Sequence, residues 1–178
     1  MLRRIRELLW NFRLVRPDGE FGFAEDVYFD ATWTVRYLVT HLGRRFSKRL
    51  LIPICSLQPF DWQGRTMSLA HAEYAESSDA QLWSARMILG HRIQVRMEEV
   101  GHLDDLLVDD ETWALRHLIV GSQSGGWLGR KILISPEWVE EVHEPTGRIS
   151  VGLSRDEIQQ SPEWAPGSVL SGSSDAHP

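Results

Sequence analysis

The chain has 178 residues, 42% hydrophobic and 25% charged, a balance that excludes an extended disordered protein and fits a soluble globular one. Nineteen basic against 25 acidic side chains leave a formal charge of −6, which argues against nonspecific binding to nucleic acid or anionic lipid, since both need a positive field, but leaves room for a local basic patch. The one cysteine, Cys55, rules out an intrachain disulfide and a Cys-based zinc site, and fits a reduced, cytoplasmic setting.

The opening "MLRRIRELLWNF" is basic and then apolar, but its apolar part is too short for a secretory signal and reads as part of the folded domain. Short strands are predicted at Phe12–Arg16 and Phe23–Phe29. "DAT" then makes a hairpin turn capped by Asp30, and "TWTVRYLV" follows with Trp33, Val35, Tyr37 and Val39 on one face and Thr34, Arg36 and Leu38 on the other. Further strands are predicted at Leu50–Ile54 and Arg65–Leu69. The longest apolar run, Leu50–Cys55, holds a proline and falls far below the roughly 20 residues that span a bilayer. "HAEYAESS" (71–78) reads as a short helix and "ESSDAQ" (76–81) as a short linker.

From "LWSARMIL" onward the chain writes the same pattern again. Leu2, Arg6, Leu8 and Leu9 match Leu82, Arg86, Ile88 and Leu89; Gly22 matches Gly101; "EDVYFD" matches "DDLLVD"; Thr32-Trp33, Arg36 and Leu38 match Thr112-Trp113, Arg116 and Leu118; "KRLLIP" matches "RKILIS". Strands are therefore predicted at Arg92–Arg96, Leu103–Val108, Trp113–Ile119, Lys131–Ile134 and Arg148–Leu153. The last helix begins at Ser154, with Glu157 completing a capping box, and Pro162 ends it. The tail "APGSVLSGSSDAHP" has a disordered composition.

"GHLDDLLVDDETWALRHLIV", "GRKILISPEWVEEV" and "VGLSRDEIQQSPEW", with "GFAEDVYFDATWTVRYLV" and "KRLLIPICSL" before them, resemble the PRC-barrel family from Leu2 to Trp164. The pattern departs from the family in two places: Glu98-Glu99 stands where the first half keeps Asp18-Gly19, and the Trp-x-x-Gly-Arg segment is present only at Trp127–Arg130. The resemblance implies a mainly β fold: two tandem small PRC-type β-barrels, each closed by a short helix, at 1–78 and 79–164, with a flexible tail at 165–178. It implies a fold like the cytoplasmic domain of the photosynthetic reaction-centre H subunit and, more distantly, the C-terminal domain of a ribosome-maturation factor. The expected function is a non-enzymatic, cytoplasmic scaffold or adaptor that binds a protein partner, with peripheral association to a membrane complex and no direct nucleic-acid binding. The rival expectation is a ribosome-maturation or RNA-processing accessory, and an enzyme ranks last.

No catalytic, cofactor or metal set is expected. "GSQSGGWLGRK" (Gly121–Lys131) has phosphate-loop spacing at Gly121 and Gly126, but Trp127 stands where the lysine must be. Asp104, Asp105, Asp109, Asp110 and Glu111, like Glu25, Asp26 and Asp30, offer carboxylates to a cation, but lack the spacing of a calcium loop and read as solvated turns. Ser135 with His143 lacks the elbow of a hydrolase triad, and His71 and His117 lack metal spacing. Eight tryptophans are many for this length. Trp33, Arg36, Leu38, Trp113, Arg116 and Leu118 are the candidate interface, between the barrels or to a partner, and the barrels are expected to pack as a pseudo-two-fold dimer within one chain.

Overall fold

The computed structural model describes residues 1–9, 11–17, 19–41, 49–69, 81–96, 98–122 and 129–166. The expected helix at 71–78, the linker at 76–80, Asp18, the glycine-rich stretch 123–128 and the tail from 167 lie outside the described residues.

The first half runs β1 (Leu2–Arg4), α1 (Ile5–Leu8), β2 (Arg13–Arg16), β3 (Gly19–Phe23), β4 (Asp26–Phe29), β5 (Val35–His41), β6 (Arg49–Pro53), a 3-10 turn at Ile54–Ser56, β7 (Leu57–Asp61) and β8 (Thr66–Leu69). The second half follows a similar order, with one long strand in place of β3 and β4: β9 (Trp83–Ser84), α2 (Ala85–Ile88), β10 (Arg92–Val95), β11 (Glu98–Asp109), β12 (Leu115–Gly121), β13 (Lys131–Ile134), a 3-10 turn at Pro136–Trp138, β14 (Val139–His143), a 3-10 turn at Glu144–Thr146, β15 (Arg148–Val151) and α3 (Arg155–Gln160). The fold is mainly β, with three short helices among the described residues. The capping box forms as expected: the Glu157 carboxylate accepts from the Ser154 backbone N–H at 2.7 Å, and Ser154 Oγ from the Glu157 N–H at 3.3 Å. β7 and β14 are not among the predicted strands. Both lie at the end of their sheets, where a proline (Pro59) or a charged pair (Glu140, Glu141) is tolerated and hides the alternation.

In the second half the sheet runs β13-β12-β11-β10-β15-β14, with β10 and β15 parallel and the other neighbours antiparallel. The first half forms two sheets, β3-β2-β8-β7 and β6-β5-β4-β9, again with one parallel pair, β2 with β8. None of the sheets closes into a barrel, contrary to expectation. In the second half the outer edge of β13, which closure would need, is already covered: Leu133 N–H donates to the Pro162 carbonyl at 2.9 Å and Trp164 N–H to that of Lys131 at 2.8 Å. A covering segment satisfies an exposed edge as closure would.

The sheets do not follow the 78/79 division. β1 opens the first half but pairs with β11, and β9 opens the second half but pairs with β4. Each half therefore lends its opening strand to the other. One core cluster runs through both, from Ile5, Leu14, Val27 and Leu38 to Ile93, Leu106, Leu118 and Ile149. A second, smaller cluster of Leu107, Ile119 and Leu133 is covered by Leu2 and Trp164.

The expected alternation in β5 and β12 is broken once in each. Tyr28 pairs with Tyr37 but Phe29 with Val35, so Arg36 bulges out; Leu107 pairs with His117 but Val108 with Leu115, so Arg116 does the same. An extra residue reverses the inward phase beyond it. Val35 and Leu38 thus enter one core, as do Leu115 and Leu118, while Ile119 turns to the other cluster.

Candidate functional site

The two halves meet at their hairpins. Asp30 Oδ1 accepts from Thr32 and Thr34 N–H at 2.9 and 3.2 Å, and Asp109 Oδ1 from Glu111 and Thr112 N–H, both at 3.0 Å. Hydrogen bonds from Thr32, Arg36 and Thr34 outweigh the upward push of burial and hold the Asp30 carboxyl below its ordinary range; the Thr112 N–H leads in doing the same for Asp109. Both turns end on a tryptophan in the left-handed region, Trp33 at φ +56° and Trp113 at φ +59°. Such a conformation costs about 1–3 kcal/mol in a bulky residue and persists where its surroundings over-determine it. Here it aims each carbonyl across the seam: Val35 N–H donates to Trp113 O at 2.9 Å, and Leu115 N–H to Trp33 O at 2.7 Å.

Asp26 and Asp105 are not part of a solvated turn. Both are buried, at 7% and 0% exposure, and each holds the opening segment of the opposite half. Asp105 accepts from Arg4 Nε at 2.7 Å and the Arg6 N–H at 3.1 Å; Asp26 accepts from Ser84 Oγ at 2.5 Å and the Arg86 N–H at 2.9 Å. Burial pushes both carboxyls above the ordinary range, against those hydrogen bonds. Two more of the acidic run are engaged: Asp104 pairs with Lys131 at 2.7 Å, and Asp110 with the N-terminal ammonium at 2.6 Å and Arg3 at 3.1 Å. Among the described residues no group of three or more His, Cys, Asp or Glu side chains is arranged to hold a metal ion.

Of the candidate interface, Leu38 and Leu118 are fully buried, and Trp33 and Trp113 belong to the same cluster. Arg36 and Arg116 are exposed, and Arg36 pairs with Asp30 at 2.6 Å. Trp33 stacks on Phe29 at 5.1 Å and faces Trp83 at 6.3 Å. His143 bonds Thr146 Oγ1 at 2.7 Å instead of Ser135, and burial lowers the pKa of His117. His71, Trp127 and Gly126 lie outside the described residues.

Beside the seam a cleft of about 710 Å³ opens between β5, the Ile54–Ser56 turn and β7 on one side and the second hairpin on the other. Its apolar floor includes Val35, Ile54 and Leu57, and its walls include Phe60, Trp62 and Trp113. Phe60 lies 4.7 Å from Trp113 and 6.2 Å from Trp62, centroid to centroid. Asp110, Glu111 and Arg36 reach its rim, and the exposed Cys55 lies in it. The repeat supplies a control. Where β7 carries Phe60 and is followed by Trp62, β14 carries Val142 and is followed by Glu144. Where the second hairpin has Asp110 and Glu111 between Asp109 and Thr112, the first has only Ala31 between Asp30 and Thr32. Phe60, Ile54 and Cys55 are absent from the sequence-based candidates. The signal that points to them is divergence between two otherwise matched halves. In comparisons with known proteins, the chain matches no family model and no curated protein.

Proposed function

We propose that the protein is a non-enzymatic adaptor of tandem PRC-barrel type that docks a protein partner in the cleft beside the seam, in the cytoplasm and in association with a membrane complex. The observation that carries this reading is the aromatic and acidic lining of the cleft. The matched halves differ at both walls of this opening, with aromatic rings on one side and carboxylates on the other. Aromatic side chains in a partly open recess are the usual anchors of protein–protein contacts. The family part of the reading rests on the quoted motifs and on the repeated element order.

The test is affinity capture on the full-length protein and on a Phe60→Val/Trp62→Glu variant, which installs the pair the other half already carries. Partners retained by the wild type and lost by the variant, with membrane-complex subunits among them, are the expected outcome. Equal retention by both proteins would remove the cleft from the docking site. Ribosomal proteins lost in the variant would replace the membrane assignment with a ribosomal one.

A further inference from the structure

We infer that the cleft recognises an arginine side chain on the partner; this rests on the docking reading above. The protein already shows the chemistry at the cleft's edge. The Arg3 guanidinium lies 4.8 Å above the Trp62 ring and its Nε is 3.1 Å from an Asp110 carboxylate oxygen, so ring face and carboxylate hold one cation between them. Such an arrangement combines cation–π attraction with a charge-assisted hydrogen bond. Arg36 is taken by Asp30, and Asp110 by the N-terminal ammonium at 2.6 Å and by Arg3, while the Glu111 side chain makes no ion pair among the described residues. Phe60 and Trp113 line the same cleft, their ring centroids 4.7 Å apart. The opening therefore offers one carboxylate outside any ion pair among aromatic rings, on a protein whose net charge is −6. A guanidinium, planar and weakly hydrated, suits that pairing better than an ammonium. At the counterpart positions Ala31 stands for the acid pair, and Val142 and Glu144 for Phe60 and Trp62.

The experiment uses the full-length protein and a pool of capped peptides with a central arginine and randomised flanks, against the same pool with citrulline at the centre. The most strongly retained arginine peptide is then measured by tryptophan fluorescence and by its effect on the alkylation rate of Cys55, the single thiol, which lies in the cleft. The expected result is preferential retention of the arginine pool, at least about fivefold slower alkylation at saturation, and about tenfold weaker binding on changing arginine to citrulline. Glu111→Gln should weaken the arginine peptide several-fold, leave the citrulline peptide unchanged, and flatten the salt dependence. Equal retention of the two pools, or indifference to both Glu111→Gln and Trp62→Glu, would overturn the inference. A cellular partner that protects Cys55 without dependence on Glu111 would leave the docking reading standing and reject the arginine. No protection by any peptide or captured partner would reject both.

Discussion

Thr40 is fully buried, and its hydroxyl finds no hydrogen-bond partner among the described residues. It sits over Gly22, and the matching pair in the second half is Val120 over Gly101. The second half thus shows an apolar branch of the same shape in the same place. Thr40→Val should raise stability by about 1 kcal/mol, because a buried unpaired hydroxyl forfeits its hydration for nothing. Urea unfolding should show a higher midpoint at unchanged slope. Asp26 yields a prediction in pH. Burial holds its carboxyl above the ordinary range, so the folded protein keeps this proton where the unfolded chain has released it. Its contribution is full below the unfolded pKa and is lost as pH rises through the folded one. Asn cannot ionise but can still accept from the Arg86 and Val27 N–H groups. The stability of Asp26→Asn relative to wild type should therefore improve steadily from about pH 3.5 to 7. A constant difference would show that Asp26 titrates alike in both states.

The lent strands are the elements on which the fold depends most visibly. β1 is three residues and α1 four, too short to hold by local propensity. They are fixed by the ladder to β11 and by Arg4, whose guanidinium meets a fully buried carboxylate. Arg4→Ala should cost on the order of 2 kcal/mol, since it strips a partner from a buried charge while Arg4 itself keeps 30% exposure. Arg36→Ala removes an ion pair of similar length whose partners are 50% and 22% exposed, and should cost below about 1 kcal/mol. Hydrogen exchange at Leu2–Leu8 should rise in the first variant and stay unchanged in the second. Equal effects would mean that Asp105 does not anchor the segment.

For the whole molecule, reciprocal lending makes each half incomplete alone. Residues 82–178 would leave the β11 edge without β1, and β9 without β4. Ser84 occupies the place of Arg4 and could serve Asp105 as it serves Asp26. The isolated half should therefore dimerise, each copy lending β9 and α2 to the other's β11, with stability that rises with concentration. Sedimentation should show a dimer; a stable monomer that binds no hydrophobic dye would mean that the exchange is dispensable.

Strand content and turns were legible from local chemistry. Alternating apolar residues, aspartates at turn positions and the Ser154–Glu157 cap act within a few residues, and Lys131–Ile134 forms between the predicted bounds. The matched pairs likewise announced two similar halves. Tertiary structure alone decided three things. Which β-strand an opening segment pairs with depends on edges brought together from distant parts of the chain, so β1 could be assigned to its own half as readily as to β11. The bulges at Arg36 and Arg116 arise from pairing register, which the alternation of a single strand does not contain. The cleft needs Phe60 and Trp62 to meet Trp113 from the far half, and no spacing along the chain encodes that distance. What the sequence alone determined is local; which half each piece serves is settled by burial, because an apolar strand pairs wherever its edge and its core face are both satisfied.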